Sequence, residues 1–448
     1  MKRYKNKISE ICGISGRFSI YIVLIFGFSP IFGQTQLSLS DAIKTGLENN
    51  FQIQISEQRI DIAKNNNNLA QAGKYPNIDL NLISGNGIQD INNPASFLDG
   101  TTITSLGVTP NVDMQWVLFD GYKVRINKQR LERLEFQSSG NKELIVENTI
   151  QAIILSYYRA VIEQEKIGVF KEVLKLSRDR YDYQVIRRDL GVGSKFNILQ
   201  TKDAYLSDSI NLKFQETALD NAIQNLNLTM GVEDLRTTYM LMDLLEYNRI
   251  DYEADELQQK MFANNQNLKN QFLNLQLLKT ETDFQSSNKM PRLSMNTGVS
   301  YALSQNFLGD LSATGRTFQY YLNFSLSYNI YDAGRTKRAI ENAIVNEKIG
   351  QLTIDDQKRT LRGQLHMNVA NYNHQADIIE LNDARVSNAK ENLEVAEERF
   401  KSGVITSFDY RNVQLAYIRA ALTKLEAVYN LKTTETDIIR LTGGIVGF

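Results

Sequence analysis

The sequence predicts a mostly helical chain that carries a smaller set of β-strands and is built as an internal tandem duplication. Three observations lead to this fold class. Only five prolines occur in 448 residues, and none lies between positions 111 and 290 or after 291, whereas a proline costs about 3 kcal/mol in a helix interior. Short segments alternate between apolar and polar residues, and several landmarks recur about 212 residues later.

The N-terminal residues 1–33 predict a secretory signal peptide. Five basic residues precede an apolar run over 18–32, and Gly33 ends that run before polar residues. The run of 15 residues is shorter than the roughly 20 that a membrane-spanning helix needs. An uncleaved N-terminal anchor helix is the alternative. Cleavage would leave a chain without cysteine, because Cys12 lies in this segment.

The duplication divides the remaining chain into a first repeat over 34–245 and a second repeat over 246–448. Each repeat is predicted to contain a helical stretch, two strands and two further helices. The landmarks that recur at an offset of 212 to 215 residues are Asn49-Asn50 and Asn264-Asn265, Pro76 and Pro291, Gly191-Val192 and Gly403-Val404, Phe196 and Phe408, and Ala204-Tyr205 and Ala416-Tyr417. Several separated landmarks at one offset indicate duplication rather than chance.

The alternating segments predict strands with one apolar and one polar face. Apolar residues occupy every second position over most of 106–118 and throughout 318–330, and shorter matching runs begin at Ile78 and Leu293. Strands of about ten residues with an aromatic-rich apolar face are typical of membrane barrels, although the strands of a soluble sandwich alternate in the same way. The two strand-connecting loops are predicted over about 85–105 and 303–316.

The long proline-free tracts predict long helices. The tract from Arg335 to Arg399 has 65 residues, or roughly 100 Å of helix at 1.5 Å per residue. Apolar residues in its second half recur at spacings of three, four and seven, which is typical of a coiled-coil seam. Interruptions of the long helices are predicted near Ser138-Ser139-Gly140 and Gly350.

The number of strands limits how they can enter a membrane. Four strands per chain cannot close a barrel, because membrane barrels start at eight strands. Open edges in lipid leave backbone groups unpaired at a cost of several kcal/mol each. Several chains must therefore share one barrel if the strands lie in a membrane, with eight strands from two chains or twelve from three.

Composition argues against several classes of function. The 50 basic and 51 acidic residues are balanced, so the charge does not indicate nucleic-acid binding, and a mean hydropathy of −0.33 is too polar for a bundle of membrane helices. His366 and His374 have no partners spaced as a metal-ligand set. The segment 191–195 lacks the residue order of a phosphate-binding loop. The sequence thus predicts no enzyme, and no catalytic, cofactor-binding or metal-binding residue.

Several motifs together resemble the TolC-like outer-membrane efflux family over essentially the whole chain after residue 33. They are the strand-end motifs Leu118-Phe119-Asp120-Gly121 and Ile330-Tyr331-Asp332-Ala333-Gly334-Arg335, the helix-turn motif from Arg399 to Asp409, and the Asn-Asn pair of each first helix. The resemblance implies a homotrimer. Four strands from each chain would form one 12-stranded β-barrel in the outer membrane of a Gram-negative bacterium, and the helices would form one long coiled-coil periplasmic tunnel.

The resemblance also implies a passive exit duct of a tripartite efflux pump or type I secretion system. The periplasmic tip, where an adaptor protein and an inner-membrane transporter would dock, falls on the two helix turns. Its candidate residues are Gly191, Asn197, Gly403, Ser407, Tyr410 and Arg411. Arg399, Tyr410 and Arg411 are candidates for contacts that hold the tip closed. The alternative function is a non-conducting, elongated envelope protein or adhesin.

The resemblance places a pore constriction at Asp409. Three symmetry-related Asp409 carboxylates would form a ring that attracts cations. The matching position of the first repeat is Asn197, and the position three residues after Asp409 is Asn412, so a second acidic ring is not expected. A helix-capping role for Asp409 is an alternative that does not exclude the ring. At the other end, Phe97 and Phe307 are candidates for narrowing the outer mouth, or simply for packing of the loops.

Overall fold

The computed structural model describes residues 35–447, so the predicted signal peptide 1–33 lies outside the described residues. The helices and strands of the described range follow the chain in this order: β1 (Thr35–Leu37), α1 (Leu39–Asn49), α2 (Phe51–Asn66), β2 (Asn77–Ile91), β3 (Thr101–Phe119), α3 (Lys123–Asp189), α4 (Lys195–Met230), β4 (Tyr239–Leu241), α5 (Ala254–Asn264), α6 (Gln266–Ser287), β5 (Arg292–Leu308), β6 (Leu311–Ser327), α7 (Arg335–Lys401), α8 (Ser407–Leu441) and a 3-10 turn at Ile445–Gly447. None of the helices in this range is both long enough and apolar enough to cross a membrane.

The four long strands form one antiparallel sheet in the order β2-β3-β5-β6. The register places Leu80, Val112, Val299 and Tyr320 in one row across the sheet. The next row is polar and consists of Asn81, Asn111, Ser300 and Gln319. The predicted alternation is therefore confirmed, with all apolar side chains of the first row exposed.

The strands are longer than the sequence predicts. The connections between them are only 92–100 and 309–310, so the predicted loops over 85–105 and 303–316 were wrong at both ends. Backbone pairing continues through the region of small residues, where Gly107 lies between Gly85 and Ser304. Because ladder hydrogen bonds need no side chain, glycine weakens a strand without ending it. Phe307 consequently lies in β5 rather than in a loop.

The two longest helices are α3 and α7, with 67 residues each, and both run without interruption. The predicted breaks near Ser138-Ser139-Gly140 and Gly350 were therefore wrong. A Cβ atom at Gly140 would overlap the Asn270 side chain of α6, and one at Gly350 would lie 2.6 Å from Leu278 Cδ1 of the same helix. These glycines allow α6 to pack closely against both long helices.

The helices lie side by side in a row. Away from the sheet the order of neighbours is α4, α3, α8, α7, and next to the sheet it is α2, α3, α6, α7. The predicted coiled-coil seam of α7 is confirmed, because Leu361, Leu365, Tyr372, Ala376 and Ile379 are all buried in one cluster.

The paired asparagines show why the two repeats share a landmark. Asn50 Oδ1 accepts hydrogen bonds from Gln52 N and Ile53 N of α2, and Asn50 Nδ2 donates to Thr229 O at 3.5 Å. Asn265 caps α6 in the same way, and its Nδ2 donates to Leu441 O at 3.1 Å. Each asparagine thus divides the first helical stretch in two and ties it to the end of the last helix of its repeat.

Candidate functional site

The two helix turns at the end remote from the sheet have the same backbone. In the first, Gly191 N donates to Arg188 O at 2.8 Å and Val192 N to Arg187 O at 2.9 Å. In the second, Gly403 and Val404 make the corresponding bonds at 3.1 and 2.9 Å. Both glycines have a φ of +79°, a conformation that side chains with a Cβ rarely adopt. The predicted turns at Gly191 and Gly403 are present in the structure.

The helices that follow the turns begin with equivalent caps. Ser194 Oγ accepts from Asn197 N, and Thr406 Oγ1 accepts from Asp409 N, both at 3.2 Å. Only the second turn completes a reciprocal capping box, in which Asp409 Oδ2 accepts from Thr406 N at 3.1 Å and from its hydroxyl at 2.6 Å. These hydrogen bonds lower the pKa of Asp409 below its ordinary 3.8. Asp409 therefore supports the helix start from the third helical position.

Arg411 ties the second repeat to the first. Its guanidinium makes a bidentate ion pair with Asp208 of α4, with both N–O distances 2.6 Å. Asp208 is 3% exposed and also accepts from the Ser177 hydroxyl of α3. Arg411 was a predicted tip contact, whereas Asp208 and Ser177 were not singled out. Their only sequence signal is a polar residue at a helical position, which is equally typical of a solvated face.

A second buried cation lies beside this pair. Arg180 of α3 is 3% exposed and donates to Ser407 O at 3.4 Å and to Gln414 Oε1 at 3.3 Å. Burial, followed by the neighbouring charge of Arg411, lowers the pKa of Arg180 to about 10. Three helices therefore share a polar cluster near the tip, made of Ser177, Arg180, Asp208, Arg411 and Gln414.

Aromatic side chains fill the space between the polar cluster and the second turn. The rings of Phe400 and Tyr410 stack with centroids 5.2 Å apart, and Tyr183 OH donates to Lys401 O at 2.9 Å. Tyr410 is 2% exposed, and burial raises its pKa to about 12. Tyr410 thus packs α8 against α3 and α7. The side chain of Arg399, another predicted contact, is exposed and forms no hydrogen bond or ion pair with residues 35–447.

Both turns present apolar side chains at the surface. Val192 and Phe196 are 65% and 71% exposed, and their counterparts Val404 and Phe408 are 70% and 61% exposed. Asp409 is exposed beside Phe408. Leu190 of the first turn is also 73% exposed. The tip therefore combines five uncovered apolar side chains with the exposed carboxylates of Asp189 and Asp409.

The opposite end of the molecule is the connection between β2 and β3. Phe97 lies in this connection and is 96% exposed, so it does not pack against its own chain. Phe307 is half-buried and pairs with Ser312 in the β5–β6 hairpin. The structure does not bring the two phenylalanines together as equivalent loop residues.

The described residues contain no group of three His, Cys, Asp or Glu side chains placed to hold a metal ion. His366 and His374 are both exposed on α7.

Several solved structures share this fold. CusC, whose structures concern folding and transmembrane channel formation, superposes with a TM-score of 0.73 at 13% identity, covering 92% of this chain and 93% of CusC. The CmeC outer membrane channel of Campylobacter jejuni gives 0.73 at 15% identity, with 91% and 85% covered. The outer membrane protein VceC of Vibrio cholerae gives 0.70 at 11% identity, with 91% and 96% covered. Comparison with curated proteins gives no match.

The sequence model of the outer membrane efflux protein family matches residues 42–232 and 257–444. The two matches correspond to the two repeats, so the internal duplication is confirmed. They cover most of the chain, and the predicted family resemblance is confirmed as well. The chain belongs to the outer membrane efflux protein family.

Proposed function

We propose that three copies of this chain close into one outer-membrane channel, which is the passive exit duct of an efflux pump or type I secretion system. Four strands from each copy form a 12-stranded barrel, and the helices form a periplasmic tunnel in a Gram-negative envelope. An inner-membrane transporter supplies the driving force through a periplasmic adaptor. The signal peptide ends at residue 33, and the two repeats occupy 34–245 and 246–448.

The observation that carries this proposal is the uncovered sheet. Strands β2 and β6 are both edges, and the apolar row from Leu80 to Tyr320 is 43–78% exposed. Exposing such an apolar face to water costs about 25 cal/mol per Å². In lipid, the unpaired backbone groups of the open edges would be unfavourable instead. Pairing β6 of one copy with β2 of the next removes the edges, while the apolar face remains on the lipid side.

The helices at the ends of the row support the same closure. Exposed large apolar side chains are concentrated on α2, α4 and α7, the helices at the ends of the two rows within residues 35–447. Besides Phe196 at the first turn, these residues are Phe51, Ile55, Ile62, Leu199, Leu206, Ile210, Phe214, Leu228, Ile344, Val345, Ile349, Leu352, Met367, Ile378, Leu381 and Val395. A head-to-tail contact between unlike edges generates a closed ring when the rotation closes.

The tip supports the docking of an adaptor. Four apolar side chains are exposed at equivalent positions of the two turns. Exposed apolar patches of this kind mark contact sites for partner proteins. Val192, Phe196, Val404 and Phe408 are those contacts in this proposal. Threefold closure presents six turns at one end, so an adaptor meets a ring of repeated apolar contacts.

The proposed constriction is a ring of three Asp409 carboxylates. The capping box uses Oδ2, whereas Oδ1 forms no hydrogen bond within residues 35–447, so capping leaves part of each carboxylate available to ions. Its lowered pKa keeps the group charged at neutral pH. The polar cluster around Asp208 and the Phe400–Tyr410 stack hold the second turn in place behind the ring.

The first experiment is the protein mass of the detergent-extracted complex by light scattering. We expect a mass close to three times that of the chain from residue 34 onward. A monomer that is stable to dilution, or a protein released without detergent, would contradict the channel and favour the elongated envelope protein.

The second experiment is single-channel conductance in a planar bilayer. Asp409→Asn should reduce the preference for cations over anions, because it removes three charges from one level of the pore. Asn197→Asp, the matched change in the other turn, should raise that preference. An unchanged reversal potential for both variants would leave Asp409 with its capping role alone.

A further inference from the structure

A cavity lies where the sheet meets the helices in the first repeat. It has a volume of about 510 Å³, within the range of about 300–1,000 Å³ that is usual for small-molecule sites. Its walls come from the end of β3, the start of α3 and the segment between α2 and β2. The side chains that matter here are Leu69, Lys74, Trp116, Leu118, Tyr122 and Arg125.

The apolar wall of the cavity continues the apolar face of the sheet. Trp116 and Leu118 follow Val112 and Met114 at every second position of β3, and Trp116 pairs across the sheet with Met295. Trp116 Nε1 donates to Lys74 O at 3.0 Å, so the indole has its polar group satisfied and its ring against the cavity. An acyl chain lying on the sheet could therefore enter the cavity without crossing a polar barrier.

The opposite wall has a net positive charge, because it holds the cations Lys74, Arg125 and Lys128 against the carboxylates Asp120 and Glu132. Lys128 is neutralised by Glu132 at 2.6 Å, and Asp120 accepts from Val124 N at 3.5 Å. Lys74 and Arg125 are exposed, and neither forms an ion pair with any carboxylate within residues 35–447. The two cations lie at the helical side of the apolar wall.

We propose that this cavity binds an anionic phospholipid of the membrane leaflet that faces the helices. The acyl chain lies against Trp116 and Leu118, and the phosphate lies between Lys74 and Arg125. Tryptophan and tyrosine favour the membrane interface, and basic side chains there attract anionic headgroups. The proposal rests on the proposed function, because the sheet must lie in a membrane for a lipid to reach the cavity.

The second repeat provides a matched control. Lys289 and Lys337 occupy the positions that correspond to Lys74 and Arg125 at offsets of 215 and 212. Neither residue lines the cavity. The Lys337 side chain is 80% exposed and lies 3.9 Å from Glu341. A change at this pair removes the same number of charges from the same level of the molecule.

The test is native mass spectrometry of the detergent-extracted complex after addition of phosphatidylglycerol, of phosphatidylcholine, or of inorganic phosphate. The wild-type protein should retain one phosphatidylglycerol per chain and little phosphatidylcholine. The double variant Lys74→Gln, Arg125→Gln should retain it with an affinity lower by about fivefold for each charge removed. The double variant Lys289→Gln, Lys337→Gln should behave as wild type, and the charge-preserving Lys74→Arg, Arg125→Lys should keep the lipid.

The other possible outcomes contradict either the lipid site or the proposed function. Equal retention of both lipids, or equal loss in the two double Gln variants, would contradict a specific anionic site in this cavity. Displacement of the lipid by millimolar phosphate would indicate a phosphate site rather than a lipid site. The same spectra report the oligomer. A detergent-extracted trimer without bound lipid contradicts only the lipid site, whereas a soluble monomer contradicts the proposed function as well.

Discussion

The two helix turns have the same backbone and different chemistry. Gly191 and Gly403 share a φ of +79°, and a hydroxyl side chain caps the helix that follows each turn. Only the second turn has a carboxylate, Asp409, that completes the capping box. Duplication therefore preserved the residues that shape the backbone and allowed the charged groups to diverge.

The polar cluster shows the same divergence on a larger scale. The first-repeat counterpart of Arg411 is Leu199, and the second-repeat counterpart of Asp208 is Ala420. The ion pair that joins α8 to α4 thus has no equivalent in the other direction. A ring built from these chains would alternate between second-repeat turns that this ion pair holds and first-repeat turns that lack it, with the Asp409 carboxylates on the second-repeat turns.

The largest effect is expected from Asp208→Asn. This change leaves Arg411 and the neighbouring Arg180 without their carboxylate, and removing one partner of a buried ion pair costs about 3–5 kcal/mol. Hydrogen exchange of the complex should show lost protection at the tip ends of α4 and α8. Asp189→Asn, which removes the carboxylate of an exposed pair with Arg188, should leave protection unchanged. Equal protection in both variants would mean that the cluster does not brace the tip.

The glycine pair tests whether the two backbones are equivalent. Gly191→Ala and Gly403→Ala should each lose about 1–2 kcal/mol, because the left-handed conformation strains a residue with a Cβ. No atom lies within 4 Å of the added Cβ at either site, so the cost is conformational. The thermal midpoint of the complex measures it.

The matched controls are Gly168→Ala in α3 and Gly363→Ala in α7, where a Cβ also meets no atom within 4 Å. Ordinary helix positions should gain about 0.5–1 kcal/mol from the same change. If the turn variants are as stable as these controls, the two turns do not require glycine.

Removal of the capping side chains should destabilise the two turns to different extents, and these losses should be smaller than those of the preceding variants. Ser194→Ala removes one capping hydrogen bond and should cost about 1 kcal/mol. Thr406→Ala should cost more, since it also removes the hydroxyl that donates to Asp409. Local hydrogen exchange of the first turn of α4 and of α8 compares the two losses. Identical losses would show that the hydrogen bond from the Thr406 hydroxyl to Asp409 contributes nothing to the stability of the turn.

The smallest expected effect is a loss of stability at low pH that is confined to the second turn. The hydrogen bonds from Thr406 lower the pKa of Asp409 below 3.8, the ordinary value that applies in the unfolded chain. Its contribution to stability is therefore fully present above pH 3.8 and is lost as the pH falls through the lower pKa of the folded state. Asn197, in the first turn, does not titrate.

Spin labels at Val404→Cys and Val192→Cys measure this difference in the chain from residue 34 onward, which has no other cysteine. The label at position 404 should become more mobile below pH 3.8, and the label at position 192 should not. Adding Asp409→Asn should make the mobility at position 404 independent of pH. Matching acid transitions at both labels would assign the loosening to another group.

The sequence could predict features that depend on neighbouring residues. Alternation over 318–330 predicts strand β6, and Gly403 with Asp409 predicts the turn and the helix that follows it. The offset of 212 residues predicts the duplication. Each of these patterns depends on local backbone geometry or on the two faces of a strand. It can therefore be recognised from adjacent residues, whatever the distant parts of the chain do.

Only the tertiary structure decided features that depend on distant elements. Gly140 and Gly350 resemble helix breaks in the sequence, yet the approach of α6 makes them close-packing positions within continuous helices. The strands continue through Gly85 and Gly107 because paired neighbours supply the hydrogen bonds. Asp208 became the partner of Arg411, 203 residues away, because side-by-side packing of α4 and α8 against α3 brings their side chains together, and no spacing along the chain encodes that proximity.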